Sequence, residues 1–270
     1  MIRHFDTTIP NSARIWNYWM GGKDHYDADR QAGDAYRAIA PQIVTMAHEA
    51  REYLNRAVTL LAGDLGVRQF LDVGTGLPAA DNTHEVAQRV SPAAQIVYVD
   101  NDPIVLAHAR ALFISTREGR TASIDADLHD PEKILTAAHG LLDFSQPVAL
   151  MLMGVLGHVQ DHTEATAIVR RLQADLPVGS YFVHYDGTDT DPGLAKAQAG
   201  YNTTGALPYV LRSPTQLEAF YDGLELLEPG IVSCPLWRPA PESSPEPTHI
   251  YGGIGRKQSA RAEGPAEVNR

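Results

Sequence analysis

Apolar residues along this chain follow two rhythms. Short runs with little polar interruption fall at 70–73, 96–99, 148–153 and 180–185, with a weaker one at 121–124. Runs of four to six residues, apolar on both faces, predict strands of a parallel sheet covered on both sides. Between them the apolar positions recur at three- and four-residue steps, which predicts helices over 79–90, 104–113, 131–139 (begun by Asp130 and Pro131) and 161–174. Strand and helix alternating in this way predict an α/β fold with right-handed crossovers.

Both ends of the chain depart from that rhythm. Residues 1–10 read as extended, and Asn11 or Ser12 can cap a helix over 13–20 that Gly21-Gly22 ends. A second helix stops before Pro41. A third runs over 42–63, with Ile43, Ala47, Ala50, Leu54, Ala57, Val58 and Leu61 on one face. Residues 1–65 are therefore expected to form a helical cap or lid, followed by the main domain over 66–256. After the fifth strand comes a polar connection over 186–206, with a short helix near 194–199. A helix follows from Ser213-Pro214 through Tyr221. Two strands, 224–232 and 248–255, flank a Pro- and Ser-rich loop at 239–247. They predict an antiparallel hairpin closing the sheet. Residues 257–270 lack apolar periodicity and are expected to be disordered.

Composition narrows the partners. A net charge of −11 sets the chain against a phosphate backbone, so nucleic acid is not an expected partner. The longest apolar run, 148–155, is too short to span a bilayer, and no apolar leader is visible. The single cysteine, Cys234, rules out an internal disulfide and suits a reducing cytoplasm. No HExxH spacing or cysteine cluster supports a metal site. Monomer and homodimer both stay open.

The stretch over 69–102 carries the chemistry. It reads strand, Asp72-Val73-Gly74-Thr75-Gly76, helix, then a strand ending on Asp100, which is a nucleotide-binding unit of a doubly wound sheet. Glycine lets the turn bend and approach a ligand closely. Asp100, at the sheet's carboxyl edge, can accept both hydroxyls of a ribose. Gly74-x-Gly76-x-x-Ala79 also satisfies a dinucleotide fingerprint, so an NAD-dependent oxidoreductase stays open. Two features favour S-adenosylmethionine (SAM). Asp72 would repel a pyrophosphate but suits a cationic amino-acid end, and Pro78 removes an N–H that a pyrophosphate would use.

The chain resembles a family of actinobacterial class I S-adenosyl methyltransferases of mostly unassigned substrate. The matching text is the run from Ser12 through Trp16, Tyr18 and Gly21-Gly22-Lys23-Asp24, with Ala28-Asp29-Arg30 behind it, then Asp72 to Pro78, His84 to Ala87, and Val97 to Pro103. Asp127-Leu128, Glu228-Pro229-Gly230 and Trp237-Arg238-Pro239 continue it. The resemblance implies a Rossmann-like methyltransferase sheet that binds SAM. It places Asp72, Gly74 and Gly76 at the methionine end, Asp100 and Asn101 at the ribose, and Asp127 and Leu128 around the adenine. It also implies that the N-terminal segment folds over the cofactor. Thr75, and Gly154 and Val155 where the fourth strand ends, are added to the expected cofactor contacts, as are Tyr18, Gly22 and Lys23 on the lid. Where the family commonly has Asp-Tyr, Leu-His and Ser-His, this chain has Asn17-Tyr18, Leu156-Gly157-His158 and Tyr185-Asp186.

Methyl transfer needs an in-line approach, a dry site and sometimes a base. His158, just past the fourth strand, is the first candidate base and His25, on the lid, the second; His184 and Asp186 are further candidates. His84 and His108 read as structural. The expected activity is methyl transfer to a small-molecule acceptor. A protein that binds SAM or its demethylated product without transfer is the alternative.

Overall fold

The computed structural model describes residues 6–259. The expected extended start at 1–5 and the tail over 260–270 lie outside the described residues. The elements run α1 (Ser12–Trp19), α2 (Asp27–Ile39), α3 (Ile43–Ala62), β1 (Gln69–Val73), α4 (Thr83–Val90), β2 (Gln95–Asp100), α5 (Pro103–Leu112), β3 (Arg120–Asp125), α6 (Pro131–His139) and β4 (Val148–Met153). Then come α7 (His162–Ala174), β5 (Tyr181–Gly187), α8 (Pro192–Tyr201), α9 (Pro214–Glu218), β6 (Leu224–Leu226), β7 (Val232–Ser233) and β8 (Ile250–Lys257).

Strand order is β3-β2-β1-β4-β5-β8-β6, with β7 also on β8. β1 to β5 pair in parallel, and β8 runs antiparallel beside β5. The class I methyltransferase arrangement is therefore present, and no second parallel half follows β5 among the described residues. That removes the dinucleotide oxidoreductase reading. One apolar cluster joins α1, α2 and α3 to one face of the sheet, through Ile15, Tyr36, Tyr53, Val58, Phe70 and Ala149. A second cluster fills the opposite face with Leu71, Val99, Ile134, Leu150, Val169 and Phe182. α3 is thus a layer helix on the sheet, and α1 and α2 sit beyond it.

Three expected elements shift. The helix expected from 79 begins at Thr83, because Asn82 and Glu85 cap it and Asp81 takes φ 58°, a left-handed value that no helix continues through. The expected strand 224–232 splits into β6 and β7, since Pro229 offers no N–H and Gly230 turns at φ 87°. β8 runs on through Lys257, the first residue of the expected tail, whose amide donates to the Ser180 carbonyl at 2.8 Å.

Candidate functional site

The order reverses between β1 and β4, and a cavity of about 370 Å³ opens at the carboxyl edge there. Gly74 and Gly76 shape its floor at φ 78° and 66°. A Cβ on Gly74 would overlap the Val155 side chain, so the turns after β1 and β4 touch only because that position is bare. Gly76 faces open space, and its amide donates to Asp100 Oδ2 at 3.0 Å. The Asp102 amide donates to the other carboxylate oxygen at 2.9 Å. Asp72 is buried and accepts from the Thr83 hydroxyl at 2.7 Å. Burial pushes both carboxyls up to about 6, against the hydrogen bonds that each accepts.

Asn101 donates to Asp127 at 2.7 Å, and the His129 amide donates to the other oxygen at 2.9 Å. Burial acts to raise Asp127, but these hydrogen bonds outweigh it and hold the carboxyl below its usual range. Thr75, Asn101, Asp127, Leu128, Gly154 and Val155 all line the cavity with Asp72, Gly74, Gly76 and Asp100. Ten expected positions therefore converge on one crevice.

The lid residues chosen from sequence do not reach it. Tyr18, Gly22, Lys23 and His25 are absent from the cavity wall. The Tyr18 hydroxyl donates to Asp34 at 2.9 Å, Lys23 is exposed, and a Cβ on Gly22 would overlap Asn17. His25 lies between the Gly22 carbonyl and Arg30, packed edge-on to Tyr18. For Tyr18 the reason is helical phase: Trp16 and Trp19, three apart, take the inner face of α1 and turn Tyr18 outward, while Gly22, Lys23 and His25 lie past the helix end. The N-terminal segment still reaches the crevice, since residues 11–13 line it too. Asn11 Nδ2 donates across the mouth to Asp102 at 2.8 Å. The buried pair Arg14–Asp29, at 2.8 Å, ties α1 to α2.

Several wall residues went unpredicted, Arg51 foremost among the charged ones. Arg51 on α3 lines the cavity and acts on Asp72 as a neighbouring positive charge. Its signal in the sequence is a cation four residues after Ala47 and three before Leu54, on the buried face of an otherwise apolar stripe. Four aspartates (Asp72, Asp100, Asp102 and Asp127) and one arginine in a single crevice suit a ligand that carries more positive than negative charge.

His158 lines the cavity beyond β4, as expected. Its Nδ1 lies 3.0 Å from the Pro208 carbonyl, which can only accept, so Nδ1 carries the proton and Nε2 keeps a lone pair. Burial lowers its pKa. The Tyr209 ring stands edge-on to it at 5.1 Å, and the Tyr209 hydroxyl donates to Asp186. Asp186 and His184 are buried behind that wall, 2.9 Å apart, and neither lines the cavity. His84 is buried against the Tyr98 hydroxyl at 2.8 Å, and His108 Nδ1 lies 2.9 Å from the Ile104 carbonyl of its own helix. Among the described residues no His, Cys, Asp and Glu group could hold a metal.

The fold and crevice have known counterparts. A DUF574 family protein from Streptomyces avermitilis is 43% identical, with 93% of this chain and 99% of that chain covered and a TM-score of 0.88. A candidate methyltransferase from Thermobifida fusca is 37% identical, with 94% and 97% covered and a TM-score of 0.86. A SAM-dependent methyltransferase from Anabaena variabilis shares the fold alone, at 11% identity and a TM-score of 0.50 over 73% of this chain and 80% of that one. No curated protein matches. The family described as S-adenosyl methyltransferase matches residues 1–258. With the carboxylate-tipped strands, the antiparallel close of the sheet and this match in agreement, the chain belongs to the S-adenosyl methyltransferase family, whose cofactor is SAM.

Proposed function

We propose that the protein transfers the methyl group of SAM to a small-molecule acceptor, as an enzyme of the EC 2.1.1 class working in the cytoplasm. When bound, SAM supplies an electrophilic methyl on a sulfonium. Asp100 and Asn101 would hold the ribose, Asp127 and Leu128 the adenine, Asp72 the cationic methionine end and Arg51 its carboxylate. The Asn11–Asp102 bridge would keep water out. The observation that carries the reading is the cavity's extent: it runs past the β1–β2 edge to Met153, His158 and Tyr185 at the ends of β4 and β5, and to Tyr209 packed against them. An acceptor would stand there, beside the methionine end, where a sensor would be plugged. No described helix is long and apolar enough to cross a membrane.

The test uses SAM labelled in its methyl group and a cell extract divided by size. Label is expected in the small-molecule fraction. Label in protein or nucleic acid would overturn the acceptor class, and bound SAM with label in neither fraction would support the sensor.

Affinity for SAM should depend on pH. The native carboxyls of Asp72 and Asp100 titrate near 6, above their unfolded values, so they retain protons that the unfolded chain has released. By linkage, their contribution to the ligand-free fold is full below the unfolded pKa and is lost as pH rises through about 6. A cationic ligand instead needs them ionised. Its affinity is expected to rise at least about tenfold from mildly acidic to neutral pH, with proton release on binding. Calorimetry in buffers of different ionisation heat reads both. A flat profile would remove these two carboxylates from the contact set.

A further inference from the structure

We propose that the acceptor is an uncharged aromatic hydroxyl compound, its ring seated at the β4–β5 end of the cavity and its hydroxyl at Nε2 of His158. This rests on the methyltransferase reading and adds the class of acceptor. Tyr209 and Leu211 stand at that end, against Gly157 and Gly187, and Trp16, Tyr36, Tyr201 and Leu194 line the same cavity. Flat aromatic walls favour a flat partner.

The tyrosine hydroxyls among these walls are already committed. The Tyr36 hydroxyl donates to Gln198 Oε1 at 3.2 Å, and Gln198 Nε2 donates to Asn202 at 3.0 Å. The Tyr201 hydroxyl donates to the Leu207 carbonyl at 3.2 Å, and the Tyr209 hydroxyl to Asp186. An acceptor rich in polar groups would lose its hydration there with little in return. The aspartates in the cavity wall, Asp72, Asp100, Asp102 and Asp127, lie at or just past the ends of β1, β2 or β3, and Asp186 at the other end is covered by Tyr209, so an ammonium there would touch no carboxylate directly. A carboxylate acceptor would have only Arg51, in competition with the cofactor.

His158 is built to receive one proton. The Pro208 carbonyl fixes its tautomer, and the Tyr209 ring braces it edge-on. Tyr209 fits because a Cβ on Gly157 would overlap its ring, and Asp186 anchors its hydroxyl. Base and wall are therefore held by one loop against the ends of two strands. A neutral imidazole matches a phenol, with a pKa of about 10 like tyrosine, far better than an aliphatic alcohol. In the step, the hydroxyl proton passes to Nε2 and an oxygen electron pair forms the O–CH3 bond. The pair of the broken C–S bond stays on sulfur, which leaves as a neutral thioether, and the positive charge ends on the imidazolium.

The experiment presents the full-length protein and methyl-labelled SAM with four probes: 2-naphthol, 2-naphthoate, 2-(aminomethyl)naphthalene and decahydro-2-naphthol. 2-Naphthol should take methyl at least about tenfold better than the others. His158→Gln should slow that transfer about 100-fold. The same variant should lose less than about threefold with 4-nitrophenol at mildly alkaline pH, where the probe is already ionised and needs no base. Preference for the amine or the carboxylate would overturn the proposal. So would equal losses on both phenols, or SAM binding by calorimetry with no methylation of 2-naphthol. In that last case the methyltransferase reading survives if label still reaches the small-molecule fraction, whereas absent SAM binding would sink both.

Discussion

Asp100→Ala is expected to raise the dissociation constant for SAM about 100- to 1,000-fold. A carboxylate accepting two ribose hydroxyls makes two charge-assisted hydrogen bonds, each contributing about 1.5–3 kcal/mol, and roughly 3–4 kcal/mol in total corresponds to that factor. The effect should be large because the carboxylate is preorganised. Gly76 and Asp102 amides already hold its two oxygens, so little freedom is lost when the ribose arrives. The alanine also removes the anchor of the Gly76 amide, which loosens the turn under the ligand. Asp100→Asn separates the two effects: it keeps an acceptor for the turn but loses the charge, and an intermediate loss is expected. Calorimetry measures both variants, and the thermal upshift that SAM gives the wild type should vanish in the alanine variant. An unchanged affinity would move the ribose elsewhere.

Asp29→Ala is expected to release the cap. Asp29 has 0% exposure and Arg14 has 3%. The Asp29 carboxylate also accepts from the Asn11 amide at 2.9 Å and the Tyr26 amide at 2.8 Å. Deleting one partner of a buried ion pair destabilises by about 3–5 kcal/mol, because the other charge stays desolvated. The loss falls where α1 meets α2, and it frees the backbone of Asn11, whose side chain reaches Asp102 across the cavity mouth. Amide exchange over residues 11–30 should therefore quicken by about 100-fold or more, with SAM dissociating faster. The pair Arg37–Asp34 on the same cap supplies the contrast. At 51% and 50% exposure it is hydrated and screened, and Asp34→Ala should leave exchange there nearly unchanged. Equal exchange in both variants would show that apolar packing alone holds the cap.

Fold and candidate crevice were legible for one physical reason. In a parallel sheet every strand delivers its last residues to the same edge, so Asp72, Gly74, Gly76, Asp100 and Asp127 must meet once the strands are known. Chain order and apolar rhythm supply the strands. The antiparallel close was legible in the same way, from two late apolar runs around a Pro-rich loop, although Pro229 and Gly230 broke the first run in two.

The helices were harder, because a helix residue reaches the site only if its phase points there. Trp16 and Tyr18 are equally aromatic neighbours of one short helix, yet Trp16 faces the cavity and Tyr18 bonds Asp34 outside it. Arg51 was missed for the matching reason: a lone cation between apolar steps is informative only when what lies opposite is known.

By itself, then, the sequence determined the order of strands and helices, and with it which loop ends would share an edge, since those follow from periodicity and chain direction. Tertiary structure alone decided which side chains close the site. Tyr209 stands against His158 and Asp186, 51 and 23 positions away in the chain, because an open space over Gly157 admits its ring. Contacts of that kind depend on the packing of distant segments, which no local pattern encodes.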